Sequence, residues 1–135
     1  MVGLVVFTHG SLARALLDTV SKVYGPLDAS LALETGPGDS PDGLRRKLSQ
    51  AMDQVDSGDG VLVLVDLVGG TPWNIAASFM GRRRMDVLAG VNLPILLKCT
   101  MERQCRDPVA LAKRLLDYGQ NHLERASQKL CITGR

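Results

Sequence analysis

The chain has 135 residues and a mass of 14.5 kDa, enough for one hydrophobic core and too little for two. Its apolar residues are mainly aliphatic, with two Phe, two Tyr and one Trp, as in helices packed on a buried parallel sheet. The net charge of +2 is nearly balanced and no basic stripe alternates with aromatic residues, so nucleic-acid binding is not expected.

Neither a targeting segment nor a membrane span is apparent in the sequence. The apolar run from Met1 to Phe7 is shorter than a signal peptide or a transmembrane helix and has no basic region before it. Cys99, Cys105 and Cys131 are odd in number and lack C-x-x-C spacing, which indicates reduced thiols to which we assign no role. We expect a cytoplasmic protein without cofactor, metal or direct membrane insertion.

Four apolar segments predict β-strands, and each is followed by a segment with helical periodicity. The strands are predicted over 2–7, 27–35, 61–66 and 85–91, with the weak alternation of 27–35 indicating an edge strand. The helices begin at Leu12 and at the cap signals Ser40-Pro41, Thr71-Pro72 and Asp107-Pro108, and Asn92-Leu93-Pro94 leads into a further short apolar helix. A short apolar tail, 130–133, predicts one more edge strand.

This order of strands and helices predicts the fold class. Parallel strands joined by helices make right-handed crossovers, so helices cover both faces of the sheet. We expect an α/β fold over 1–135: a single doubly wound, flavodoxin-like domain with a parallel four-stranded sheet.

The residues just after the strands are the candidates for chemistry, because doubly wound sheets bind ligands beyond the carboxyl ends of their strands. His9 follows the first strand, and Asp66 follows the third. If these strands are neighbours, the two side chains emerge side by side. A neutral imidazole nitrogen is a nucleophile toward phosphorus, and a carboxylate bound to the other ring nitrogen would fix its tautomer.

An arriving phosphoryl group needs hydrogen-bond donors, which helix N-termini supply. One helix begins after Gly10 and Ser11, and another begins at Thr71, behind Gly69 and Gly70. Glycines permit close approach of the backbone, and the hydroxyls of Ser11 and Thr71 can add bonds. These five residues are the predicted phosphate-binding residues.

Each of these residues also has an ordinary structural interpretation. His9 could be a loop residue, Asp66 a capping aspartate, and 69–70 a simple turn. The basic segment 82–84 is most simply a solvated loop away from the candidate site. A non-catalytic module that binds phosphate or nucleotide is the alternative from another class, although the chain has neither G-x-G-x-x-G nor a P-loop. A metal site would need more ligands than one histidine and one aspartate.

Three segments carry a family resemblance. Residues 5–10 (VVFTHG), 64–74 (LVDLVGGTPWN) and 89–96 (AGVNLPIL) resemble the signature segments of the mannose/fructose/sorbose-type enzyme IIA. This enzyme IIA is a component of the bacterial phosphoenolpyruvate-dependent sugar phosphotransferase system (PTS). The similarity extends over nearly the whole chain with compatible spacing.

The resemblance implies a phosphotransferase component that carries a phosphoryl group on a histidine. His9 would accept the group from the phosphohistidine of the carrier protein HPr and pass it to a IIB component during sugar uptake. Asp66 would be its hydrogen-bonding partner, and Thr71 would contact the phosphate. The resemblance also implies a homodimer formed by exchange of the edge strand at 130–133, and a IIB partner on a separate polypeptide.

More than one final acceptor of the phosphate is compatible with these residues. A regulatory phosphocarrier with no transport role would use the same chemistry, as would the phosphocarrier subunit of the dihydroxyacetone kinase system. The segments 69–72 and 92–94 favour the sugar type.

Overall fold

Strands and helices alternate along the chain in the predicted order. The computed structural model describes residues 1–131. Its elements are β1 Gly3–His9, α1 Leu12–Val23, β2 Ser30–Thr35, α2 Pro41–Val55, β3 Val61–Val65, α3 Thr71–Ala77, β4 Met85–Ala89, α4 Leu93–Glu102, α5 Pro108–Gln120 and α6 Ala126–Lys129. A short 3₁₀ turn, Arg103–Cys105, separates α4 from α5.

The strands form one parallel sheet in the order β2-β1-β3-β4. Val6 of β1 pairs with Ala32 of β2 on one side and with Leu64 of β3 on the other. The α/β doubly wound, flavodoxin-like prediction is therefore confirmed, including β2 at an edge and β1 beside β3. As a result, the loops after β1 and β3 lie next to each other at the carboxyl edge of the sheet.

The two faces of the sheet bury two separate apolar clusters, since neighbouring residues of a strand point to opposite faces. Leu4 and Val6 pack with α1, α4 and α5, whereas Val5 and Phe7 pack with α2 and α3. All five residues of β3 are buried, as expected of a strand covered on both sides. This packing fixes the positions at which β1 and β3 leave the sheet.

Two predicted helix caps, Ser40 and Asp107, are present as side-chain hydrogen bonds, and Asn92 caps α4 in the same way. Ser40, Asn92 and Asp107 accept from the backbone N–H groups of residues 43, 95 and 109 at 2.9–3.0 Å. The prediction for α3 is wrong by one residue. Gly70 occupies the N-cap position and Thr71 is already helical, so the Thr71 side chain makes no capping bond.

Some strand ends differ from the prediction. β2 begins at Ser30 rather than at 27, and β4 ends at Ala89 because Gly90 has a φ of +87° and donates its N–H to the carbonyl of Asp66. At the carboxyl end, Leu130 and Cys131 form a turn rather than the start of the predicted strand. Residues 132 and 133 of that strand lie outside the described residues.

The arginines at 82–84 lie just before β4, at the opposite end of the sheet from the candidate site. Arg82 and Arg84 are exposed, as predicted for a solvated loop away from the candidate site, whereas Arg83 is half-buried. Arg83 forms an ion pair with Asp53 at 3.0 Å, and Arg84 donates to two backbone carbonyls. The partners lie in other parts of the chain, so the local sequence gave no indication of them.

Cys99 is a buried residue of α4 and belongs to the apolar cluster on that face of the sheet. Burial raises the pKa of its thiol to about 12, so the reactive thiolate is not formed at neutral pH. Within residues 1–131, no helix is long and apolar enough to cross a bilayer.

Candidate active site

His9 and Asp66 meet at the carboxyl edge of the sheet. His9 is the last residue of β1, and Asp66 directly follows β3. His9 Nδ1 lies 2.8 Å from Asp66 Oδ2, with the His9 side chain 48% exposed and the Asp66 side chain 12% exposed. The structure therefore brings together the two side chains that the strand order predicted to be neighbours.

The Asp66 carboxylate is held by the backbone as well as by the ring. Oδ2 also accepts the backbone N–H of His9 at 3.0 Å, and Oδ1 accepts the N–H of Leu67 at 3.0 Å. A carboxylate can only accept, so a neutral His9 carries its proton on Nδ1. The free lone pair is then on Nε2, so Nε2 is the ring nitrogen that can act as a nucleophile.

The ionised form of Asp66 is favoured. Burial raises the pKa of its carboxyl, but hydrogen bonds from the His9 backbone and ring oppose burial, and the net pKa lies below the ordinary value of 3.8. The charge is thus in place at neutral pH to stabilise a positive imidazole ring.

Gly70 contacts the His9 ring directly. A Cβ added at Gly70 would lie 2.8 Å from His9 Cε1, closer than real side chains approach, and 3.4 Å from Nε2. Gly70 thus forms a wall beside the nucleophilic nitrogen. Gly69 before it has a φ of +85°, which a glycine adopts without strain.

Gly10 turns the chain between β1 and α1 with a φ of +54°. Its N–H is donated to the carbonyl of Thr35 at 3.0 Å, so Gly10 serves the turn and its amide is not available for the predicted phosphate contact. Ser11, the N-cap residue of α1, and Thr71, the first residue of α3, are exposed, and neither hydroxyl is bonded within residues 1–131. Both hydroxyls are free to bind a ligand.

Comparison with known proteins decides the family. The model of the EIIA-man family, described as the PTS system fructose IIA component, matches residues 3–115. The chain belongs to this family. Its members are phosphocarrier components of the sugar phosphotransferase system, and this is the function of the chain.

Relatives of the EIIA-man family support the assignment over most of the chain. The chain is 37% identical to the PTS system fructose-specific EIIA component of Bacillus subtilis, covering 96% of this chain and 90% of that protein. It is 33% identical to the mannose-specific EIIAB component of Escherichia coli over 76% of this chain and 32% of that longer protein. The mannose/sorbose specific IIA subunit from Enterococcus faecalis superposes with a TM-score of 0.82 at 28% identity, covering 92% and 93% of the two chains.

Thr8 is a residue of this EIIA-man site that the sequence analysis did not single out. It is completely buried at the end of β1. Its Oγ1 accepts the N–H of Ala13 at 2.7 Å, and its hydroxyl donates to the carbonyl of His9 at 3.2 Å. The available signal was a polar side chain at the end of an otherwise apolar strand.

Exposed apolar side chains flank the EIIA-man site. Leu12 begins α1, and Leu67 and Val68 follow Asp66 in the loop after β3. A Cβ at Gly70 would also lie 3.1 Å from Leu67 Cδ1, which places the Leu67 side chain next to Gly70 and the His9 ring.

Among residues 1–131, no cluster of His, Cys, Asp and Glu is suited to hold a metal ion.

Replacing Gly70 by alanine is expected to impair phosphoryl transfer, because the new methyl group would displace the His9 ring and thereby move the nucleophilic Nε2. We expect transfer to fall roughly ten- to hundredfold, as for a nucleophile misplaced by about 1 Å. The measurement is the rate of phosphohistidine formation. Gly36→Ala is the control, since a Cβ there meets nothing within 4 Å. If phosphohistidine formation slows equally in both variants, the close approach of Gly70 to the His9 ring is not the cause.

Proposed function

We propose that His9 Nε2 accepts a phosphoryl group from the phosphohistidine of HPr and passes it to a IIB component. The observation that carries this proposal is the 2.8 Å contact between His9 Nδ1 and Asp66 Oδ2 on a half-exposed ring. It supports an imidazole with a fixed tautomer and a free Nε2 lone pair.

In the transfer step, the Nε2 lone pair forms a bond to phosphorus while the P–N bond to the donor histidine breaks. The donor leaves as a neutral imidazole. The His9 ring keeps its Nδ1 proton and becomes positively charged, and the Asp66 carboxylate stabilises that charge. Transfer to IIB is the same step with His9 as the leaving group, so the site stores the phosphoryl group without consuming it.

We assign the phosphoryl oxygens to donors on both sides of the ring. The hydroxyls of Ser11 and Thr71, together with the backbone of Gly69 and Gly70, are the proposed contacts. The support is that Gly70 lies against the ring beside Nε2, and that Ser11 and Thr71 lie at the N-termini of α1 and α3, where amides attract anions.

The partners would dock on the exposed apolar residues around His9, namely Leu12, Leu67 and Val68. An apolar centre that surrounds a reactive group suits a protein partner, because its burial excludes water during transfer. HPr and IIB would use this surface in turn. This role places the protein in the cytoplasm, where its phosphoryl donor is made.

The test is phosphorylation of the purified protein by phosphoenolpyruvate, enzyme I and HPr. We expect one phosphoryl group per chain, labile in acid and stable in base, mapping to the peptide that contains His9. A wild-type protein that takes no phosphate would overturn the proposal.

We also propose a homodimer. β4 forms the sheet edge, and no strand covers its outer side within residues 1–131. Leu116 and Leu123, on and just after α5, are exposed. These features agree with the strand exchange implied by the resemblance. A mass in solution of twice 14.5 kDa is expected, and a monomeric mass would contradict the dimer.

A further inference from the structure

We infer that Thr8 is a positioning residue for phosphoryl transfer, because its buried hydroxyl joins the first turn of α1 to the strand end that carries His9. This inference rests on the proposed role of His9. Thr8 does not touch the reacting atoms. It acts through the backbone on either side of the nucleophile.

The two hydrogen bonds of Thr8 span the loop between β1 and α1. Oγ1 accepts from the Ala13 N–H at 2.7 Å, and the hydroxyl donates to the His9 carbonyl at 3.2 Å. Thr8 has no exposed surface, whereas His9 beside it is half exposed. A fully buried hydroxyl with both functions satisfied fixes its neighbours more firmly than an exposed one.

Thr8 also replaces the cap that α1 lacks. Ser11 stands at the N-cap position with φ −94° and ψ 11°, and its side chain makes no capping bond. The inner amide of the first turn, that of Ala13, is bound by Thr8 instead. Within residues 1–131 the N–H groups of Leu12 and Arg14 have no acceptor, so they are available to an anion near His9.

The backbone N–H and carbonyl of His9 and the N–H of Gly10 are all hydrogen-bonded. The His9 N–H is donated to Asp66, its carbonyl accepts from Thr8, and the Gly10 N–H is donated to Thr35. Of these bonds, only those of Thr8 connect the nucleophile to α1. Without the hydroxyl, the Ala13 N–H stays buried without an acceptor, and the start of α1 is free to shift relative to the imidazole ring.

The experiment compares Thr8→Val with Thr8→Ser, using phospho-HPr as donor. Valine keeps the volume and removes the hydroxyl, whereas serine keeps the hydroxyl. We expect Thr8→Val to lower kcat roughly ten- to hundredfold with a smaller effect on KM, because two of the three docking residues, Leu67 and Val68, lie outside α1. Thr8→Ser should restore most of the rate. In Thr8→Val, the Ala13 amide should also exchange its hydrogen faster and the His9 ring resonances should shift.

Thr100→Val is the matched control, since it removes a partly buried hydroxyl on α4 whose single hydrogen-bond partner among residues 1–131 is the carbonyl of Leu97. Rates are compared per folded molecule, so that loss of stability alone does not lower them. Wild-type transfer with an unchanged kcat in Thr8→Val would overturn the role of Thr8 alone, as would failure of serine to restore the rate. A wild-type protein without phosphate at His9 would overturn both this inference and the proposed function.

Discussion

Replacing His9 by alanine is expected to abolish phosphorylation by phosphoenolpyruvate, enzyme I and HPr. The only other histidine is His122. It lies just beyond α5, where it stacks on Tyr118 at 3.7 Å and its Nδ1 contacts the Tyr118 carbonyl. No carboxylate orients that ring within the described residues, so it does not substitute for His9. The measurement is incorporation of labelled phosphate at saturating HPr.

His122→Ala is the matched control for this prediction and is expected to be phosphorylated at the wild-type rate. Both variants should remain folded. His9→Ala loses the ring contact with Asp66 but keeps the backbone bond of residue 9 to the same carboxylate, so stability should fall by no more than about 2 kcal/mol. If His9→Ala is phosphorylated, or if His122→Ala is not, then His9 is not the residue that carries the phosphoryl group and our proposal is wrong.

The pairing of His9 with Asp66 was predictable from sequence because it depends on the order and length of apolar strands. The runs before the two residues are fully buried, so their register in a parallel sheet is set by packing. Two parallel neighbours of fixed register end at the same edge. The side chains that follow them are then adjacent without any further information.

The contacts that refine the site were not predictable in the same way. The closeness of Gly70 to His9 depends on the rotamer of the ring, and the bond from Ala13 to Thr8 depends on the path of the loop between them. Similarly, threonine is a common N-cap residue, but Thr71 is already the first residue of α3. The N-cap position is taken by Gly70, one residue earlier. Such details arise from tertiary geometry rather than from spacing along the chain.

Replacing Asp66 by asparagine is expected to slow phosphoryl transfer roughly 10²- to 10⁴-fold, by analogy with loss of the orienting carboxylate in other histidine-dependent sites. The amide keeps the shape but has no charge to stabilise the positive ring, and its NH₂ group permits the opposite tautomer of His9. The measurement is kcat for phosphorylation by phospho-HPr.

Asp86→Asn is the control for this substitution, because Asp86 Oδ1 accepts the N–H of the next residue at 2.8 Å, as Asp66 Oδ1 does with Leu67. A second readout is the difference in unfolding free energy between wild type and Asp66→Asn. The folded-state pKa of Asp66 is depressed, so its contribution is present above the ordinary value of 3.8 and is lost as the pH falls through the lower folded value. Equal transfer rates in Asp66→Asn and wild type would show that the negative charge beside His9 does not contribute to transfer.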